Sequence, residues 1–433
     1  MYSMTAKPEQ ALSSSNNKIL PWIVVFSAAL FFFYEFIQMN MFSSLDPDLM
    51  HDFSINASQL SRLASTYFYS NLIFLFPAGM ILDRVSTRKV ILTALLICSI
   101  GTLLFGMSTS VYVAQICRFF TGIGSAFCFL SSMRLATRWF PSQRLALVSG
   151  LVVTMAWFGG MVAQTPLTWL IEKLGWRHAI AVDAGLGILI WTIIYFFVQN
   201  YPSNKNEFYQ QEQLRLQQLG LWSSLRSSYL RLQNWLCALY TSTMNLPIAI
   251  LGAIFGSLYL EQVKHLSRID ASYITMMLFV GTIIGSPLAG WLSDKIGRRR
   301  LPMIIGTLLS LVIVLAIIHA PNLSNAEYII LFLLLGFTTS TQIISYPTVA
   351  ESNPKILTAT SISVISFSAI AGYPISQQLF GYFLDYGKDA QIVNNIHVYS
   401  AADFNRALII LPVAFLISLV MSLLMRETYC KEQ

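Results

Sequence analysis

The chain has 433 residues, of which 55% are hydrophobic and only 11% are charged, with a mean hydropathy of +0.61 and a formal net charge of +7. Soluble domains carry about 25% charged residues, so this composition excludes a soluble enzyme or a nucleic-acid-binding module and predicts a polytopic membrane protein. No phosphate-binding loop, nucleophile elbow or paired-histidine motif is present, and we expect no enzymatic activity, no cofactor and no metal. The five cysteines do not form a disulfide or metal-ligand pattern.

Twelve apolar runs are long enough to cross a bilayer, which needs about 20 residues. A polar tail, 1–19, precedes the first six, and a polar, glutamine-rich linker, 199–233, separates them from the last six. The predicted spans are 20–42, 58–82, 89–108, 111–136, 145–170, 178–198, 235–258, 270–292, 301–319, 326–348, 357–382 and 402–425. The sequence therefore predicts an all-α membrane protein with six-helix bundles at 20–198 and 234–426 and a short tail at 427–433.

Most of the 27 basic residues fall in the tails, the linker and alternate loops, which lie on one side if the first span starts in the cytoplasm. This asymmetry predicts that both termini are cytoplasmic. The positive charge is thus explained by orientation in the membrane, and we expect no nucleic-acid partner. The first apolar run is too long for a cleaved signal, so it is predicted to be retained as a helix.

A short motif recurs after the second span of each half, at 79–89 and 290–300. In each copy a glycine precedes an aspartate by four residues, and a basic pair follows the aspartate by five and six residues. The positions of interest are Gly79, Asp83, Arg84 and Arg88 in the first copy and Gly290, Asp294, Arg298 and Arg299 in the second. Gly159 and Gly372 also fall at matching places in spans 5 and 11. These repeats predict that the second half duplicates the first.

The repeated motif resembles the signature loop of the major facilitator superfamily, although Ser86 stands where that family usually has glycine. The resemblance implies two pseudo-symmetric six-helix bundles, a solute site near the bilayer midplane and transport by alternating access. It also implies that the two loops gate the conformational change.

Glu35 is the most deeply placed acidic residue, and a carboxylate inside a span is costly and usually functional. Counting from the predicted helix ends places Glu35 roughly 22 Å and Arg118 roughly 18 Å above the cytoplasmic edge. The run from Arg118 to Gly124 resembles the superfamily's fourth-helix motif. We expect Glu35 to carry a coupling proton and Arg118 to tune it. Two alternatives are a direct contact between Glu35 and a substrate amine, and a permanent Glu35–Arg118 ion pair.

Polar and aromatic residues deep in other spans are candidates to contact a solute. They are Tyr34, Gln38, Asn71 and Gln164 in the first half and Asn245, Gln342, Tyr373 and Gln378 in the second. Gln38 and Gln378 are favoured because they lie in mid-helix beside other polar groups. Asp183 could be a second titrating group, but its position early in span 6 favours a structural role at the helix end.

The fifth span bears on the direction of transport. Gly150 and Gly159 have the spacing of the superfamily's antiporter motif, but residues 163–166, Ala-Gln-Thr-Pro, replace its Gly-Pro ending. Drug:proton antiport is therefore disfavoured, and import is favoured.

Several segments of the first half, among them 33–36, 76–84 and 138–141, resemble a group containing phagosomal nutrient carriers, citrate-type siderophore carriers and relatives of lysosomal dipeptide carriers. The resemblance implies a monomeric secondary transporter of a small polar solute in a bacterial inner membrane. We expect proton-coupled import of an amino acid or short peptide. The alternatives are a siderophore carrier, which needs more cationic groups than Arg118 and Arg134, and a non-transporting sensor that signals through the linker.

Overall fold

The computed structural model describes residues 19–140, 142–201, 229–320, 323–353, 358–386, 391–393 and 396–430. The described residues do not include the tails at 1–18 and 431–433 or most of the predicted linker. They also leave out the surroundings of Gly79 and the side chains of Asp83 and Arg84. The alternative of a sensor that signals through the linker therefore depends on a part of the chain that lies mostly outside the described residues.

The first half is built from six spans, several of which are interrupted. Span 1 is Leu20–Asn40 continued by Phe42–Phe53, span 2 is Ala57–Arg84 and span 3 is Thr87–Met107. Span 4 is Val111–Ser125 with Cys128–Trp139, span 5 is Ser142–Val162 with Thr165–Leu174, and span 6 is Trp176–Phe197. Span 1 is longer than predicted because a polar helix, Phe42–Phe53, continues its apolar run.

The second half repeats this order. Span 7 is Leu232–Met244, a π-helical segment Ile248–Phe255 and Gly256–Lys264; span 8 is Arg268–Ile296; and span 9 is Arg300–His319. Span 10 is Asn325–Thr339, a 3₁₀ segment Ser340–Ile344 and Ser345–Glu351. Span 11 is Thr358–Asp385, and span 12 is Ala401–Leu408 with Ile410–Leu424.

Ten helical segments of the described chain are long and apolar enough to cross a membrane. The 28-residue helices Ala57–Arg84 and Thr358–Asp385 complete the twelve. The predicted fold class is confirmed. The structure adds a small antiparallel hairpin between spans 11 and 12, in which Gln391–Val393 pairs with Ile396–Val398.

Glycines set the closest helix contacts at equivalent places in the two halves. A Cβ on Gly122 of span 4 would lie 2.1 Å from the Tyr67 carbonyl oxygen of span 2, and one on Gly336 of span 10 would lie 2.0 Å from the Leu278 oxygen of span 8. Such spacing is possible only without a side chain. The two halves thus use the same packing device, which supports the predicted duplication.

The halves meet chiefly on one side of the molecule. We call the side where span 1 begins the terminal side and the side where it ends, at Phe53, the distal side. Span 2 packs along span 11, and span 5 packs along span 8. On the distal side, Ala57 N–H donates to the Tyr399 hydroxyl at 2.8 Å and Ser58 N–H donates to the Asp385 carboxylate at 2.8 Å. These bonds close the distal side.

The glycine contacts give a direct test of packing. Gly122→Ala should lower the melting temperature, because the new methyl meets backbone atoms and overpacking costs about 1–3 kcal/mol. Gly185→Ala is the matched control, since a Cβ there has no neighbour within 4 Å among the described atoms. Thermal unfolding of the two variants in detergent checks this, and equal melting temperatures would contradict the glycine packing.

Candidate functional site

Glu35 lies buried in span 1, with 5% of its surface exposed. The Tyr67 hydroxyl of span 2 donates to one of its carboxylate oxygens at 2.7 Å. The other oxygen is buried without a hydrogen-bond partner in the described part of the chain, and the thiol of Cys128, a weak donor, lies nearby. A buried ionised carboxylate normally needs several donors, so this group has unused capacity to bind a proton or a cationic group.

Both halves of the protein contribute to the surroundings of Glu35. Tyr373 of span 11 lies within electrostatic range of the carboxylate. Its ring stacks on Phe68 of span 2, with 5.0 Å between ring centroids. Glu35 therefore stands where the halves meet, and a change in its charge acts on the contact between them.

Arg118 does not form an ion pair with Glu35 in the structure. One of its terminal nitrogens donates to the Gln38 carbonyl oxygen at 2.9 Å, and the group is 1% exposed. Its guanidinium lies 4.6 Å from the Tyr67 ring centroid and 5.0 Å from that of Phe42. The static-pair alternative is thus not the arrangement in this state. Tyr67 connects the two groups instead, because it binds Glu35 by its hydroxyl and Arg118 by its ring.

Asp183 belongs to the same network. Gln38 donates to the Asp183 carboxylate and accepts a hydrogen bond from Thr102 at 2.8 Å. Asp183 is 6% exposed and lies within the electrostatic field of Arg118. Sequence reasoning favoured a helix-end role for Asp183, but the residue lies about two turns into span 6, where Gln38 donates to its carboxylate. Gln38 is itself fully buried, and both ends of its amide are engaged in these bonds.

Two of the predicted solute contacts keep an unused acceptor. Asn71 donates to Ser125 at 2.7 Å, and the side-chain carbonyl oxygens of Asn71 and Asn245 are buried with no hydrogen-bond partner among the described residues. Tyr34 is fully buried against Gly187, and Gln342 lies in the buried 3₁₀ segment of span 10. A contact of Asn71 and Asn245 with a solute stays a prediction.

Gln164 clasps the two halves together. Its side-chain nitrogen donates to the Gly252 carbonyl at 2.8 Å, and its oxygen accepts from Thr275 at 2.9 Å. It is fully buried, so in this state the amide fixes span 5 to spans 7 and 8 and has no place for a solute. Near this clasp, the Trp157 and Phe279 rings approach across the halves, with centroids 6.5 Å apart.

Gln378 lies away from Glu35. Its amide nitrogen donates to the Tyr69 hydroxyl across the halves. Both line an open groove of about 430 Å³ with Arg62, Thr66, Tyr112, Gln115, Ile116 and Phe119. The structure places Gln378 in the contact between spans 2 and 11, not beside the central carboxylate.

The second copy of the repeated loop forms a network of charges on the terminal side. Arg299 is 6% exposed and donates to Asp294 at 2.6 Å and to Glu351 at 2.6 Å. The backbone N–H groups of Arg299 and Arg300 donate to Glu427 at 2.7 and 3.0 Å. The loop thus ties the end of span 8 to span 10 and to the chain after span 12.

The first copy is tied differently. Arg88 donates to the Tyr195 carbonyl, and its N–H donates to the Asn200 side chain at 2.9 Å. Arg298 is exposed, while a Cβ on Gly290 would have no neighbour within 4 Å. A gating role for the loops remains a prediction; the structure shows the contacts that such gating would have to break.

Arg299→Lys should lower the melting temperature, because one ammonium cannot serve Asp294 and both oxygens of Glu351 as the planar guanidinium does. We expect a loss of about 1.5–3 kcal/mol, the range for hydrogen bonds to charged groups. Arg298→Lys, one residue earlier and exposed, is the control and should unfold like the wild type. The idea fails if Arg299→Lys unfolds at the wild-type temperature.

Gln164→Leu should loosen the distal closure, because the amide loses its bonds to both Gly252 and Thr275. Spin labels on His51→Cys and Asn325→Cys, two exposed positions of opposite halves, report the opening as a longer distance. Thr168→Val is the control, since Thr168 bonds within the first half, to Ser44 at 2.8 Å. An unchanged distance in Gln164→Leu would show that the amide is not a clasp.

Comparison with known proteins agrees with this architecture. A D-galactonate transporter of Escherichia coli O6:H1 is 24% identical over 392 residues, which is 84% of this chain and 89% of the relative. The lysosomal dipeptide transporter MFSD1 of Danio rerio is 23% identical over 307 residues, 67% of this chain and 65% of the relative. A crystal structure of a bacterial homolog to the human lysosomal transporter Spinster, inward-facing and unoccupied, superposes with a TM-score of 0.76 at 17% identity. It covers 94% of this chain and 98% of that chain.

The family model for the Major Facilitator Superfamily matches residues 24–376 and 237–428, and together the two matches span nearly the whole chain. The predicted superfamily is therefore confirmed, and the relatives are transporters, not enzymes. The chain belongs to the Major Facilitator Superfamily and is a multi-pass membrane transporter.

Proposed function

We propose that this protein imports a small carboxylate-bearing solute, an amino acid or short peptide, together with protons. The observation that carries the proposal is the Glu35 carboxylate, which is buried between the halves with one oxygen unpartnered. A buried carboxylate that alternates between protonated and ionised forms can bias which side of the protein is open. Arg118 acts on it through Tyr67.

The orientation follows from the basic residues on the terminal side, which we place in the cytoplasm of a bacterial cell, with both termini there. The distal side then faces outward, and its closure makes this state inward-facing. The interrupted glycine motif of span 5 supports import. We propose that the protein acts as a monomer in the inner membrane.

The proton supplies the driving force. One charge moving down the membrane potential releases about 2.3 kcal/mol per 100 mV, enough to concentrate a solute some tens-fold. In the proposed cycle Glu35 is protonated from the outside, the halves close over proton and solute, and the proton leaves on the cytoplasmic side. Asp183 is joined to the network by Gln38. Its carboxylate can compensate the positive charge of Arg118 when Glu35 is neutral.

The substrate class rests on the chemistry around Glu35. The buried side-chain carbonyl oxygens of Asn71 and Asn245 can accept from a substrate ammonium, while the unpartnered oxygen of Glu35 is left for the coupling proton. A dipeptide carrier among the relatives supports this choice. A citrate-type siderophore fits less well, because Arg118, the cation described beside this site, is buried among aromatic rings.

A second candidate substrate is a sugar acid. A relative that spans most of the chain is named a D-galactonate transporter. A sugar acid offers hydroxyls to the same amides but carries no ammonium. A labelled panel therefore separates the two classes directly. A sensor that does not transport would show no flux with any member of the panel.

The test is uptake into proteoliposomes of labelled amino acids, dipeptides, D-galactonate and a citrate-type siderophore, with and without an inward proton gradient. We expect an amino acid or dipeptide to accumulate only with the gradient. Glu35→Gln should keep solute exchange but lose accumulation by tenfold or more, because the amide cannot carry a proton. Glu327→Gln is the control and should accumulate like the wild type, because Glu327 is an exposed carboxylate that caps the start of span 10 and glutamine can serve the same cap.

Gradient-independent flux with an unaffected Glu35→Gln would contradict proton coupling at this residue. Accumulation of D-galactonate alone would replace the proposed substrate class with sugar acids.

A further inference from the structure

A second buried carboxylate lies far along span 1, on the distal side. Asp46 sits in the helix Phe42–Phe53, is 0% exposed, and has no hydrogen-bond partner for either carboxylate oxygen among the described residues. An ionised carboxylate in such surroundings would cost several kcal/mol, and a protonated one would cost far less. The closed distal side therefore favours a proton on this group.

The charges that face Asp46 come from both halves. The charge with the largest effect on Asp46 is the Glu261 carboxylate, at the end of span 7 in the other half. Arg268, at the start of span 8, and Asp48 have smaller effects. Glu261 has one buried oxygen without a described partner, and the charges that act on it are Arg268, then Asp48 and Glu172 at the end of span 5. The nearby Lys264 is turned away, to the ring of Tyr328 at 5.6 Å.

Arg268 supplies one guanidinium, which cannot neutralise all of the carboxylates around Asp46. Arg268 donates to Asp48 and to the Ser44 carbonyl oxygen, and is thereby committed to span 1. Asp46 and Glu261 are left facing each other across the halves, beside the Ser43–Ser257 hydroxyl contact at 3.1 Å. If both were ionised, like charges would repel in a poorly hydrated interface.

We propose that Asp46 and Glu261 form a second proton-binding site, distinct from Glu35, whose protonation holds the distal side closed. The direction follows from linkage: the closed state binds more protons than the open state, in which water hydrates both carboxylates. Acid therefore favours closure, and the distal side opens as the pH rises. This step rests on the proposed function, in which the distal side faces outward. Protons arriving from outside then close the distal side behind the solute.

The test measures opening directly, without solute or transport. Spin labels on His51→Cys and Asn325→Cys, in full-length protein in nanodiscs, give the open and closed populations across a pH series. In the wild type the open-to-closed ratio should rise with pH, by up to about tenfold per pH unit for each proton released. Asp46→Asn and Glu261→Gln should each stay closed in alkaline buffer and show a slope reduced by about half or more.

Asp270→Asn is the matched control, because Asp270 is an exposed carboxylate on the same side, bonded to its helix cap Ser267. It should keep the wild-type pH response. Glu35→Gln should also keep most of it, so this result separates the second site from the proposed coupling site. The response should be the same when sodium is replaced by choline, and dependence on sodium would reassign the site to a metal cation.

Either of two results overturns the proposal: a wild-type distance that ignores pH, or an unaltered pH response in both Asp46→Asn and Glu261→Gln. If one variant fails to fold, the other decides, since each removes one of the two titrating groups. Failure of proton-coupled uptake in the liposome assay leaves this measurement intact, because the distances are read without transport.

Discussion

The arrangement of this transporter depends on the cost of charge in a low-dielectric interior. Glu35, Arg118 and Asp183 are each almost completely buried in the first half. None is joined to another by a described ion pair; aromatic rings and neutral amides separate them. A permanent ion pair would be rigid and hard to break, whereas Tyr67 and Gln38 hold the charges at a distance where their protonation can still change.

The same cost explains how the two halves are held. On the distal side the contact is made by neutral groups, such as the Gln164 amide and the Tyr399 hydroxyl, by the Arg268–Asp48 ion pair and, in our proposal, by protonated carboxylates. On the terminal side the described ion pairs of Arg299 lie within the second half. We therefore expect the distal contact to respond to protonation, while the terminal network stabilises one half as a unit. A transporter that alternates between two states needs contacts that can be made and broken at little cost.

Duplication gives these contacts their symmetry. Gly122 brings span 4 against span 2, and Gly336 brings span 10 against span 8 in the same way. Gly159 of span 5 likewise approaches span 1, and Gly372 of span 11 approaches span 7. The charges do not follow this symmetry, since the buried carboxylates of the central network lie in the first half.

The sequence by itself determined the twelve spans, the duplication and the family, because hydrophobic length and repeated motifs are local properties that need no knowledge of contacts. It also singled out Glu35 and Arg118, since charge within an apolar run is conspicuous in any context. It did not determine which side chains meet. Asp183 reaches Gln38, Gln164 becomes a clasp, Gln378 lies in a peripheral groove and Asp46 faces Glu261 only because helices distant in the chain pack side by side. Depth along a helix can be counted from the sequence, but the direction in which a side chain points across the bundle is decided by tertiary packing.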